Sequence, residues 1–125
     1  MYMPRIIDAR QVASYLLGPY IAMLVTDCQS ADRVQYAHIL FVYLVDPEQP
    51  DGAPQRVLAV ASEVNNTRLP TVGSHFLGLF PGDGHVNLGA SNDWADLEHF
   101  RQEALAIAAD YLQVTEPPQL LPPSA

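Results

Sequence analysis

Between Phe76 and Phe100 the chain reads FLGLFPGDGHVNLGASNDWADLEHF, and this stretch holds four glycines, two histidines and four carboxylates. Such residue types serve proton transfer: His85 as a general base, Asn87 as an amide that orients it, and Glu63 as a carboxylate whose acidity burial would shift, whereas Asp83 at the hairpin tip is solvated. Spacing limits the chemistry. A turn over residues 81–84 pairs Phe80 with His85, Gly78 with Asn87, and His75 with Ala90. Strand alternation then groups His85 and Asn87 with Phe76, Gly78 and Phe80, and sends His75 to the other side with Leu77 and Leu79. The two histidines therefore do not converge on one ion. The chain has no His-Glu-x-x-His, no paired cysteines and no calcium-loop ladder, so we expect neither metal nor cofactor. The glycines of the turn lead back along a second strand, with Asp83 at the tip, which opposes a phosphate cradle. No nucleophile accompanies His85, because Ser74 and Ser91 fall at the far end of the hairpin and there is no Gly-x-Ser-x-Gly elbow.

Composition removes further classes of function. The six basic residues are all arginine, so Schiff-base, phosphate-loop and Ser-Lys chemistry have no lysine to use. A formal net charge of −8 with scattered arginines opposes nucleic-acid binding, which draws on clustered cations. The single cysteine, Cys28, forms no intrachain disulfide and reads as a small hydrophobe. No run reaches the length of a membrane span, and MYMPRIIDARQ lacks the form of a secretory signal. The expectation is a cytoplasmic protein with no membrane partner.

The elements that position the hairpin follow from local pattern. Asp8 and Gln11 have the form of a capping box, and Gly18-Pro19 that of a stop, so a short helix is expected over residues 9–17. YIAMLVTD, VQYAHILFVYLV and RVLAVASEV read as strands, and HFLGLF and HVNL as the hairpin. Leu97, Phe100, Ala104, Ile107, Ala108 and Tyr111 recur at helical spacing, giving a helix over residues 94–112 sealed against the sheet by Trp94. EPPQLLPPSA is proline-rich. The fold class expected is α+β: an antiparallel five-stranded meander flanked by a short N-terminal and a long C-terminal helix, in two or three layers. Residues 1–115 form one domain and residues 116–125 an extended or disordered tail. In architecture this expected arrangement resembles dimeric secretion chaperones and other adaptor domains. It departs from them in having no room for a helix in NNTRLPTVGS.

Both faces of the second strand are apolar, with His38, Leu40 and Val42 on one side and Ile39, Phe41 and Tyr43 on the other. Each side therefore needs a cover. A helix is one solution, and a second protein chain is the other. The leading expectation is a binding or adaptor domain acting as a homodimer, or with another protein, through the sheet or an edge strand. Phe76, Phe80, Asp83, His85, Asn87 and Trp94 would form its partner patch. The competing expectation is a small hydrolase or isomerase with His85 as base.

Overall fold

The computed structural model describes residues 6–31, 35–44, 55–64, 73–81 and 84–122. They build an α+β fold that is mostly antiparallel sheet. Six strands run as a meander: β1 (Ile6–Leu17), β2 (Tyr20–Ser30), β3 (Tyr36–Leu44), β4 (Gln55–Val64), β5 (His75–Pro81) and β6 (Val86–Ser91). A 3₁₀ turn, Asn92–Ala95, leads into helix α1 (Leu97–Leu112), and a two-residue strand, β7 (Gln119–Leu120), returns to the outer edge of β1. The sheet order is β6-β5-β4-β3-β2-β1-β7.

This corrects the expected α-β5-α layout twice. The segment over residues 9–17 is not a helix but most of β1, and the described sheet has seven strands, not five. Gly-Pro, which ends a helix, serves here as a two-residue hairpin turn: Gly18 takes φ +58°, and Leu17 pairs directly with Tyr20. Ala13, Tyr15 and Leu17 point alternately into the core as a strand demands, but irregularities between Ile6 and Ala13 interrupt that alternation. Ala9, Val12, Ala13 and Leu16 also stand at helical spacing, which fits the expected helix as well as this irregular strand. The likeness to secretion chaperones lapses with the N-terminal helix. Within the proline-rich segment, β7 pairs with Tyr15 and Leu16, and the Leu121 N–H donates to the Ser14 carbonyl (2.8 Å).

The C-terminal helix is present, shortened at its start. Ser91 caps the 3₁₀ turn by accepting from the Asp93 N–H, and Asp96 caps α1 by accepting from the His99 N–H. Phe100, Ala104, Leu105 and Ala108 form its buried stripe; Leu97 and Ile107 flank it, and Tyr111 faces solvent. The alanines let the helix lie close on the sheet, where Leu24, Leu40, Val42, Leu58, Val60, Leu77 and Leu79 complete one core. The far side of the sheet carries a second cluster, including Val25, Tyr36, Ile39, Phe41, Ala59, Ala61 and Phe80. No helix among the described residues belongs to it. Tyr36 reaches this side because the β3–β4 register slips between Tyr36 and His38. No described helix is long and apolar enough to cross a membrane.

Candidate functional site

The β5–β6 hairpin gathers most of the residues named from sequence on one face. Its turn is closed by the Gly84 N–H donating to the Pro81 carbonyl (3.0 Å), and Gly78 pairs with Asn87 as the turn length implies. The Phe80 and His85 rings stack, with centroids 4.5 Å apart and planes 2° from parallel. Gly78 makes that stack possible: a Cβ there would stand 3.1 Å from His85 Nε2 and 3.2 Å from a Phe80 ring carbon. Phe80 is buried beneath, and His85 is exposed above it. Glu63 pairs across the ladder with Phe76, so this half-buried carboxylate shares the face.

Asn87 has a local duty. Its Oδ1 accepts the Gly89 N–H (2.8 Å), where Gly89 holds φ +109°. Leu88 and Gly89 together oppose Leu77, a bulge that moves the pairing by one residue, so His75 meets Ser91 rather than Ala90. Side assignments survive this shift. His75 lies on the helix side, where burial, and then the charge of His38, push it below the usual imidazole range. Trp94 does not join the patch: it is half-buried on the helix side, packed against that core. Asp83 lies outside the described residues.

A second polar group emerges from register. Thr26, His38 and Ser62 are cross-strand neighbours on β2, β3 and β4, all buried and all on the helix side. His38 Nε2 lies 2.9 Å from the Ala95 carbonyl, which can only accept, so Nε2 bears a proton and donates. His38 Nδ1 contacts the Thr26 hydroxyl at 2.8 Å, and that hydroxyl also lies 3.1 Å from the Ala37 carbonyl. The Ser62 hydroxyl donates to the Trp94 carbonyl (2.7 Å). Serine and histidine therefore do not form a nucleophile–base pair. They reach separately across the layer and bind two successive carbonyls of the 3₁₀ turn, with Phe100 lying 5.4 Å from the His38 ring. No buried side-chain nitrogen or oxygen among the described residues lacks a partner. The sequence places His38 on an apolar face of its strand, where a buried imidazole needs hydrogen-bond partners. Thr26 and Ser62 were not singled out, although three polar residues inside three apolar strands become one row once the strands are aligned.

Among the described residues no group of three or more His, Cys, Asp or Glu side chains has metal-binding geometry. Burial, with the Asp27 charge second, pushes the Cys28 thiol up to about 11, so it stays protonated and weakly nucleophilic at neutral pH. The described residues thus define a class only: a meander sheet with one helix layer among them and an aromatic–imidazole patch on the far side. Compared with protein-family models, curated proteins and solved structures, the chain matches none of them significantly.

Proposed function

We propose that this chain is a small acidic binding or adaptor domain that acts as a homodimer, with Phe76, Phe80, His85 and Asn87 as its partner patch. The observation that carries this reading is the Phe80–His85 stack, held over Gly78 at the outer end of the sheet with the imidazole facing solvent. A flat π surface with a polar rim suits contact with a planar or cationic side chain of another protein. The enzyme alternative needs the Asn87 amide beside His85 as an orienter, but its oxygen is engaged with the Gly89 N–H. The far-side cluster offers little further area to a dimer, since Ile39, Ala59 and Ala61 are already fully buried. We therefore assign the contact of the proposed homodimer to a sheet edge. In sedimentation equilibrium at micromolar concentration, the expected mass is twice the 13.7 kDa of the chain. A strict monomer would contradict the homodimer.

A further inference from the structure

The chain beyond α1 returns to the sheet as a strap. Gln113 ends the helix in the left-handed region (φ +57°), and half-buried Val114 is pinned there, its N–H donating to the Ala109 carbonyl (2.8 Å) and its side chain packing against the helix-side core. Thr115 to Pro118 are exposed, and Pro117-Pro118 favours the extended backbone that carries Gln119 to the outer edge of β1. What holds the strap there is slight. Gln119 and Leu120 pair with Leu16 and Tyr15, and the Leu121 N–H donates to the Ser14 carbonyl. Of these three strap residues only Leu121 is half-buried, and Leu120 stands 68% exposed. Pro122 and Pro123, which follow in the sequence, have no N–H with which to continue the ladder. Alongside lies a cleft of about 610 Å³, lined by residues 11–14 of β1, Ile21 of β2 and the strap's own Leu120–Pro122. None of these residues carries a charge.

We infer that the β1 edge and this cleft are a strand-addition site for an extended, uncharged Leu-Leu segment of another protein, and that β7 occupies the site in cis as an autoinhibitory strap. The chemistry of the occupant is read from the strap itself: the edge accepts the extended backbone of QLLP, and Leu121 lines the cleft. A partner strand with N–H donors where the strap has prolines pairs further along residues 11–13, and so displaces it. The tail of a second copy has no such advantage, because it brings the same prolines at a lower effective concentration than the tethered tail. The site lies at the opposite end of the strand order from the Phe80–His85 stack, and it stands whether or not the chain dimerises.

Fluorescence anisotropy tests this with a labelled synthetic peptide of residues 116–125 carrying Pro122→Thr and Pro123→Val, added to the full chain. In the protein, Leu121→Pro removes the N–H that bonds Ser14 and releases the strap. The released chain binds the peptide at least about tenfold tighter than wild type, because the tethered strap competes at an effective concentration of about millimolar. The same peptide carrying Leu120→Ser and Leu121→Ser does not bind. Equal affinity for the two chains, no binding to either, or equal binding of the serine peptide overturns the site. Should Leu121→Pro disturb the fold by circular dichroism, hydrogen exchange of the wild-type chain decides. The Leu121 amide exchanges roughly 100-fold faster than that of Ala108 in α1, as a strap that opens alone requires. Equal rates mean that it opens only with the whole fold, and overturn the strap.

Discussion

Phe100→Ala lowers the stability of the fold by about 3–5 kcal/mol and its melting temperature by roughly 10–20 °C. Phe100 is fully buried and is the one large aromatic in the buried stripe of α1, whose other members are Ala104, Leu105 and Ala108. The two alanines hold the helix too close to the sheet for neighbouring side chains to collapse into the space, so removing the ring leaves a cavity and an unsupported His38 imidazole. Thermal and urea unfolding followed by circular dichroism measure the loss. A change below about 1 kcal/mol would mean that the helix does not depend on this contact.

His38→Ala costs about 2–4 kcal/mol, combining a cavity with the loss of partners for the Ala95 carbonyl and the Thr26 hydroxyl. Its effect is local as well as global. Trp94, the chain's single tryptophan, immediately precedes Ala95 in the 3₁₀ turn, so its fluorescence reports whether that turn remains seated. The emission shifts to longer wavelength as the indole gains water. Ser62→Ala acts on the adjacent carbonyl, and because both residues hold one turn, the double variant loses a different amount from the sum of the singles. A His38→Ala protein with unchanged Trp94 emission would show that the turn is held by apolar packing alone.

How much of this the sequence disclosed follows from which signals were local. The β5–β6 hairpin was legible because a turn of known length sets register, and register sets sides. Phe80 meets His85, and Gly78 meets Asn87, as the turn over residues 81–84 implies. The bulge at Gly89 was not legible: a glycine in a strand marks an irregularity without stating its length. The apolar character of both sides of β3 was also plain, and two clusters follow from it. β1 failed because two punctuation signals have double meanings. Asp8 with Gln11 resembles a helix start, Gly18-Pro19 resembles a helix stop, and both lie in a hairpin whose irregular edge hides its alternation. β7 was beyond reach, since two residues carry no periodicity. The Thr26–His38–Ser62 row depends on strand order and register across three strands, which no local window contains.

Amide hydrogen exchange of the wild-type chain over a concentration series, read residue by residue, tests the central claim most directly. Protection of amides along one edge of the sheet rises as the protein is concentrated through its dimerisation range, and that of amides inside α1 stays constant. Exchange independent of concentration at both edges, with a sedimented mass that stays at 13.7 kDa, would contradict the account.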